Sequence, residues 1–153
     1  MIYVECKPDT ALVRTITGRG LRQVIHDLKG KPGVIGTLRG LRNARAMVDE
    51  DPFSVQPQYL SQMQVAQEPP GSGLRLMEHP TDGNLLVMLC PRLEEWVLQA
   101  AREAQVDVSR YNLPSDARRF KSEINDALDR FQRLVEALDE APRVQSLRQL
   151  LRL

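Results

Sequence analysis

A short apolar run that ends in three consecutive acids is the part of this sequence best suited to chemistry. Residues 46–52 read Ala-Met-Val-Asp-Glu-Asp-Pro. This pattern predicts a buried strand that ends at the edge of a sheet and presents polar side chains there. Asp49 and Asp51 are two residues apart, so in an extended chain their carboxylates point the same way. Such a pair suits Mg²⁺ or Mn²⁺, and the alternative is a solvated turn without a chemical role.

Two further acidic spots follow apolar runs elsewhere in the chain. Glu5 follows the run at residues 2–4, and Glu94 and Glu95 follow the run at residues 85–90 and Pro91. If the three predicted strands are parallel neighbours, all three spots meet at one edge of the sheet, which is where open α/β sheets bind ligands. Ordinary capping is the alternative for Glu94 and Glu95, because a helix dipole favours acids in the first turn.

The bulk composition indicates one folded domain with a single core. The chain has 153 residues, of which 42% are hydrophobic and 27% charged. We find no apolar stretch near the roughly 20 residues needed to cross a bilayer, and no signal-peptide pattern at the start. Cys6 and Cys90 lie too far apart for a metal motif, and we expect both to be buried, unreactive thiols. A cytoplasmic protein without a membrane partner is therefore expected.

The net charge of +1 conceals an uneven distribution of charge. Residues 1–48 hold nine Lys or Arg against three acids, whereas residues 49–91 hold one Arg against six acids. From residue 92 onward the two signs balance at eleven each. A basic segment beside an acidic cluster suits a phosphate backbone that meets a metal site. The alternative is that these charges lie on solvated helix faces.

The first third of the chain predicts alternating strands and helices. We expect strands at residues 2–6, 24–26 and 46–48, with Asp9 or Thr10 capping the first helix and Gly18 ending it. A turn at residues 30–33 precedes the second helix in this interpretation, and its glycines do not match a P-loop. The alternation predicts an α/β fold with a mainly parallel sheet, right-handed crossovers and flanking helices.

The rest of the chain predicts a loop, a hairpin and a helical end. Residues 52–73 are expected to form a long loop with a helical turn near 59–63. Residues 74–78 and 85–90 are expected to pair as a hairpin, with 85–89 at the sheet centre. A helix to about residue 104 follows, with Trp96 in the core. Asp116 or Ser115 should cap a long amphipathic helix, and a short helix after Pro142 should end the chain. The apolar stripe of the long helix comprises Phe120, Ile124, Ala127, Phe131, Leu134 and Leu138.

Two of these motifs resemble those of the Toprim domains, which occur in topoisomerases, bacterial primases, small ribonucleases and the nucleases of the overcoming-lysogenisation-defect type. The family pattern is a glutamate after the first strand and Asp-x-Asp after the third. Residues 4–9, Val-Glu-Cys-Lys-Pro-Asp, and residues 48–51, Val-Asp-Glu-Asp, are similar to these motifs. Residues 91–96 are similar to a later acidic motif of the nuclease-like branch. Cys6 stands where the family usually has glycine. The resemblance covers residues 1–52 and implies a Toprim-like (Rossmann-like) core over residues 1–112.

The resemblance also implies roles for individual side chains. Asp49 and Asp51 would hold Mg²⁺ or Mn²⁺, and Glu5 would be a further ligand or a general acid or base. The additional acidic candidates are Glu50, Glu94 and Glu95. Lys7 is a catalytic candidate as well as a phosphate contact, although a plain surface role is its alternative. The side chains expected to contact nucleic acid are Lys7, Lys29, Lys31 and Arg92.

The leading functional hypothesis is a small metal-dependent nuclease that acts on DNA or RNA. Its metal would neutralise charge on the scissile phosphate and lower the pKa of a bound water. The second hypothesis is a non-catalytic nucleic-acid-binding or regulatory module. The third is a subunit that docks a larger partner through residues 115–153. Residues 113–153 are expected to pack either on the core or at a subunit interface, which would belong to a homodimer or to a complex with a larger partner.

Overall fold

The computed structural model describes residues 1–18, 20, 23–26 and 29–153. A mixed sheet forms its centre, with the strand order β2-β1-β3-β6-β5-β4. The strands are β1 (Ile2–Val4), β2 (Val24–Ile25), β3 (Arg45–Asp49), β4 (Gln64–Gln67), β5 (Leu74–Glu78) and β6 (Leu85–Leu89). The neighbours β2, β1, β3 and β6 run parallel, whereas β5 and β4 are added antiparallel. The predicted α/β class is confirmed, and the sheet is mixed because a hairpin and an edge strand extend its parallel half.

Helices flank this sheet. They are α1 (Lys7–Thr17), α2 (Gly30–Arg39), α3 (Leu93–Glu103), α4 (Ala117–Ile124), α5 (Leu128–Ala137) and α6 (Pro142–Leu151). Short 3₁₀ helices occur at Gln58–Gln62 and Val108–Tyr111. In the part of the chain that the structure describes, none of the helices combines the length and the apolarity needed to cross a bilayer.

The core lies on both faces of the sheet because side chains alternate along each strand. Met47 of β3 belongs to the larger cluster, together with buried side chains of α1, α3 and the C-terminal helices. Ala46 and Val48 point to the other face and pack with residues of α2 and with Tyr59. The result is a three-layer arrangement in which β3 and β6 are covered on both sides, as expected for central strands. At the start of β3, the guanidinium of Arg45 donates a hydrogen bond to the Leu151 carbonyl at 3.0 Å, which fastens the end of α6.

The prediction of one long amphipathic helix after Asp116 is wrong, because this segment forms two helices, α4 and α5. The carboxylate of Asp116 caps α4 as predicted and accepts the Arg119 N–H at 3.1 Å. The helix ends at Ile124, and Asn125 and Asp126 occupy the break. Asn and Asp favour such breaks because their side chains compete for backbone hydrogen bonds. The break lets the rings of Phe120 and Phe131, both fully buried, pack edge to face. Their centroids are 6.0 Å apart and the angle between the ring planes is 71°.

The segment predicted as a loop, residues 52–73, contains the strand β4, which the sequence pattern does not predict. All four residues of β4 are exposed, so the apolar alternation that identifies a strand is missing. Its pairing with β5 comes from backbone hydrogen bonds at the edge of the sheet. The helical turn near residues 59–63 and the hairpin of β5 and β6 are confirmed. The position of β6 between β3 and β5 confirms the predicted sheet centre.

Candidate functional site

Glu5 and Asp49 meet where two parallel strands end. Because β1 and β3 are parallel neighbours, the residues that follow them emerge at the same edge of the sheet. The Glu5 carboxylate accepts a hydrogen bond from the Asp49 N–H at 2.8 Å. The Asp49 carboxylate accepts one from the N–H of Leu93, the first residue of α3, at 3.0 Å. These two bonds join the ends of β1 and β3 to the start of the helix that follows β6.

Asp9 is a third carboxylate of this site, although the sequence pattern predicts it as a candidate cap of the first helix. α1 begins at Lys7 with Cys6 as its N-cap, so the prediction of Asp9 or Thr10 as the cap is wrong. Asp9 lies in the first turn, is only 2% exposed, and accepts the Cys6 N–H at 3.2 Å and the thiol at 3.1 Å. An acid three residues after the cap is the capping-box spacing, which was the available signal.

Burial and mutual repulsion disturb the ionisation of these carboxylates. Loss of hydration, followed by the charges of Asp9, Glu5 and Glu94, raises the pKa of Asp49 to about 8. Burial and the charge of Glu5 raise the pKa of Asp9 to about 7. Burial also raises the pKa of Glu5, although the hydrogen bond from Asp49 opposes the change. Crowded carboxylates of this kind are stabilised either by a proton or by a cation.

Asp51 is close to this cluster but does not continue the geometry of β3. The strand ends at Asp49, and Asp51 adopts a left-handed backbone conformation with φ of 47°. The extended geometry on which the parallel direction of the two carboxylates was predicted therefore stops before Asp51. Its carboxylate lies 3.1 Å from the guanidinium of Arg92. The charge of Asp51 nevertheless helps to raise the pKa of Glu5, which places it near the carboxylate cluster.

The remaining predicted acids have different surroundings. Glu50 pairs with Arg75 of β5 at 3.0 Å. Glu94 is buried in the first turn of α3, and its charge raises the pKa of both Glu5 and Asp49. Glu95 pairs with Arg92 at 3.4 Å, while its second oxygen is buried without a hydrogen bond. Glu94 is thus the one of the three that acts electrostatically on both Glu5 and Asp49.

Of the four basic side chains predicted to contact phosphate, two are exposed to solvent and two are bonded to other groups of the protein. Lys7 and Lys29 line an open cleft of about 590 Å³ together with Glu5 and Cys6. Cys6 is exposed, so the prediction that its thiol is buried is wrong. Lys31 is buried, and burial lowers the pKa of its amine while the surrounding carboxylates oppose that change. The basic side chains beside the carboxylates therefore include two that reach solvent at the cleft.

The Lys31 amine supports the loop after Asp51. It donates to the Glu50 carbonyl and to the side-chain oxygen of Gln56, both at 2.7 Å. The amide nitrogen of Gln56 donates in turn to the Asp51 carbonyl at 3.0 Å. Arg92, the fourth predicted contact, is held between Asp51 and Glu95.

The donor chemistry of the site fits a hard divalent cation. Among residues 1–18, 20, 23–26 and 29–153, no three His, Cys, Asp or Glu side chains are arranged so that they could hold a metal ion. Mg²⁺, however, is commonly bound through one or two carboxylates with several waters completing its shell. Glu5 and Asp49 each use one carboxylate oxygen for a backbone hydrogen bond, which leaves a second oxygen on each side chain. The repulsion within the cluster is the property that a cation would relieve.

The fold and site together define an α/β protein with a cluster of buried and half-buried carboxylates at the carboxyl edge of its parallel strands. No family model matches this chain, and comparisons with curated proteins and with solved structures find no match either. A function for this protein is therefore inferred from the side chains at this edge.

Proposed function

We propose that this protein is a small Toprim-like nuclease that hydrolyses phosphodiester bonds of DNA or RNA with Mg²⁺ or Mn²⁺. The observation that carries the proposal is the contact between Glu5 and Asp49, at 2.8 Å from carboxylate to N–H. It joins the glutamate after the first strand to the first aspartate of Asp-x-Asp. The raised pKa of Asp49 supports the proposal further, because a dehydrated acid cluster favours a bound cation.

In this proposal, Asp49 and Asp51 would hold the ion once Asp51 leaves Arg92, and Glu5 would be a further ligand. Such an ion would supply charge neutralisation at the scissile phosphate and a bound water of lowered pKa. Glu5 is also suited to proton transfer, because its raised pKa moves it toward the neutral range in which a general acid or base works best. Asp9 is not a ligand in this proposal. Its hydrogen bonds from Cys6 fix the turn that carries Glu5.

The cations at the same edge suit a phosphate backbone. Lys7 and Lys29 share the cleft with Glu5, so a strand lying in the cleft meets positive charge beside the acids. Arg92 pairs with Asp51 at 3.1 Å. Recruitment of Asp51 to an ion would release Arg92 for a phosphate oxygen, which is a contact that guanidinium makes well. Lys31 contributes charge and holds the loop.

The direct test is cleavage of single-stranded DNA, double-stranded DNA and RNA, each with Mg²⁺, Mn²⁺ or chelator. We expect metal-dependent cleavage by the wild type and a loss of at least about a hundredfold in Asp49→Asn, because a ligand is removed without a change of shape. Glu136→Gln is the matched control, since it removes one acid from the exposed part of α5. Equal cleavage by wild type and Asp49→Asn would reject the proposal.

Metal binding can be measured without activity. Because an ion that binds only the folded state stabilises it, Mg²⁺ or Mn²⁺ should raise the melting temperature of the wild type. Asp49→Asn should lose most of that rise, whereas Glu136→Gln should keep it. An identical rise in all three proteins would place any bound ion elsewhere.

A non-catalytic nucleic-acid-binding module is the second candidate. The pairing of Asp51 with Arg92 favours it, because an acid neutralised by a guanidinium needs no ion. This candidate predicts binding in chelator whose logarithm falls linearly with the logarithm of salt concentration. Cleavage that requires both a metal and Asp49 would exclude it.

A further inference from the structure

The loop at residues 51–57, which directly follows the carboxylate cluster, carries two nearly fully exposed apolar side chains. Phe53 is 93% exposed and Val55 is 96% exposed. Of the seven aromatic residues of the chain, all within the described ranges, Phe53 is the exposed one, while Tyr59, Trp96, Phe120 and Phe131 are buried. Exposure of a phenyl ring to water is unfavourable, and here the exposed ring lies two residues from Asp51.

The loop that carries these side chains is held in place from inside. Gln56 donates to the carbonyls of Glu50, Asp51 and Ser54 at 3.0 to 3.3 Å and accepts the buried amine of Lys31. The Ser54 N–H and hydroxyl both donate to the Asp51 carbonyl, at 3.1 and 2.8 Å. These bonds hold the backbone on both sides of Phe53, whose ring is exposed to solvent.

From the position of Phe53 we infer that its ring stacks on an unpaired nucleobase of the substrate, next to the phosphate held at the carboxylate cluster. The inference rests on the proposed function. Phe53 is two residues from Asp51, a chain length of at most about 7 Å, which is comparable to the reach of a nucleotide from its phosphate to its base. Every base offers an apolar face to an aromatic ring, so the contact accepts any sequence.

The size of the exposed patch favours a nucleotide over a protein partner. Arg75 and Arg92 lie near the start of the loop and are each paired with acids, and Lys29 is an exposed cation of the cleft that Glu5 lines. An aromatic side chain on a surface that also carries cations is the combination with which proteins bind single strands. One phenylalanine and one valine form a smaller apolar surface than the core of a stable protein interface. Bases in a duplex are stacked on one another, so the substrate class is single-stranded or locally unpaired DNA or RNA.

Fluorescence of Phe53→Trp tests this contact directly. Trp96 is the only native tryptophan and is 1% exposed, so the new indole supplies the solvent-exposed part of the emission. Oligothymidylate and oligouridylate should quench it in chelator, which prevents the proposed metal-dependent cleavage, at concentrations at which a blunt duplex leaves it unchanged. Val65→Trp, on the exposed edge strand β4, is the matched control and should not respond.

Cleavage gives the second reading of the same contact. Phe53→Ala should cleave single strands roughly 5- to 100-fold less efficiently than wild type, the loss typical of one base stack, while Phe53→Tyr should retain cleavage. If cleavage is lost in Asp49→Asn but unchanged in Phe53→Ala, only the stacking inference would be overturned. Cleavage that survives Asp49→Asn would overturn the proposed function, and the fluorescence experiment would still decide the stacking.

Two fluorescence outcomes would overturn the inference. The first is the absence of quenching by either single strand, and the second is equal quenching by single strand and duplex. Self-association of the wild type that Phe53→Ala abolishes, without quenching by nucleic acid, would assign the loop to contact with a second copy of the chain. Because Phe53 is almost fully exposed, none of these variants removes a side chain from the core.

Discussion

Asp49 is subject to two opposing influences. Its carboxylate accepts the Leu93 N–H, which favours the charged form, while burial and the neighbouring charges of Asp9, Glu5 and Glu94 favour the neutral form. The second influence prevails, since the pKa of Asp49 rises to about 8. At neutral pH the metal-free protein therefore gains from keeping a proton at this position, and a cation would replace that proton.

The pH dependence of stability tests this ionisation. The folded protein holds the Asp49 proton up to about pH 8, whereas the unfolded chain releases it near pH 4, so stability falls as pH rises between these values. In chelator, the melting temperature of the wild type should fall from pH 5 to pH 8. Asp49→Asn should lie above it by a margin that is largest at pH 8 and closes toward pH 4. Parallel curves for wild type and Asp49→Asn would contradict the raised pKa, and Glu136→Gln serves as the charge control.

The proximity of Glu5 and Asp49 could be predicted from the sequence because both come at the ends of apolar runs that form parallel neighbouring strands. The place of Asp9 in the site could not be predicted, because the turn that brings Asp9 back against Cys6 depends on where α1 begins. The direction of the Asp51 carboxylate could not be predicted either, because a residue with left-handed backbone conformation after a strand leaves no periodic signal in the sequence. Local patterns show which side chains reach an edge, while their partners there depend on the backbone geometry of the turns.

At the scale of elements, the loop at residues 51–57 depends on a helix that precedes β3 in the chain. The Lys31 amine of α2 reaches the Glu50 carbonyl and Gln56, so one buried cation connects α2 to this loop. The loop is therefore expected to keep its shape without a bound substrate.

Lys31→Met should remove that support. The change removes two hydrogen bonds from a charged donor, which costs about 1–3 kcal/mol of the free energy of unfolding. Amide hydrogen exchange should accelerate at residues 51–57 more than in β6. Lys29→Met, which changes an exposed lysine two residues away, is the control and should leave both measurements as in the wild type. Unchanged exchange in Lys31→Met would show that Gln56 and Ser54 hold the loop alone.

The residue directly before β5, Gly73, packs so closely against Trp96 that a larger side chain does not fit there. Gly73 has φ of +63°, and a Cβ there would contact the Arg143 guanidinium and lie 2.9 Å from Cδ1 of Trp96. The Trp96 N–H donates to the Ser72 carbonyl at 2.8 Å, so the indole is not free to move away.

Gly73→Ala should therefore destabilise the protein by more than Gly71→Ala. Both glycines have positive φ, but a Cβ at Gly71 meets nothing within 4 Å. The strain of a left-handed alanine, about 1–2 kcal/mol, is common to both, and the contact with Trp96 adds to it only at residue 73. Chemical denaturation followed by Trp96 emission measures the difference. Equal losses in the two variants would mean that the surroundings of Trp96 adjust without cost.

Elements with a strong periodic pattern were predicted well, and those defined by a partner were not. β6, α3 and α6 lie close to their predicted places because apolar runs and prolines mark them. β4 is polar on both faces, so only its pairing with β5 makes it a strand. The stripe from Phe120 to Leu138 is present, yet one stripe is compatible with either one helix or two, and the contact of Phe120 with Phe131 requires two.

At the scale of the whole molecule, the C-terminal helices share one core with the sheet. Phe131 and Leu147 belong to the same buried cluster as Ile2 and Leu12, so the apolar stripe proposed for partner docking is used within the chain. Contacts of α1 with α5 and α6 extend this packing along the helix that follows β1 and Glu5.

Removal of residues 115–153 should therefore unfold the remaining chain and not release a stable core of residues 1–112. We expect loss of cooperative thermal unfolding and increased binding of a hydrophobic dye, because the buried faces of α1 and α3 become exposed. Circular dichroism and dye fluorescence measure both effects. A truncated protein that melts cooperatively and keeps its response to Mg²⁺ would show that the C-terminal helices form a separate docking segment.

The bond between Arg45 and Leu151 has a practical consequence for handling the protein. Arg45 and Ile2 are paired at the starts of β3 and β1, so Met1 and the end of α6 lie at the same edge of the sheet. Glu5 and Asp49 lie at the opposite ends of these two strands. A purification tag, a fluorophore or a surface linkage at either terminus therefore begins on the far side from the carboxylates. Immobilised protein should leave that edge accessible to the proposed substrate.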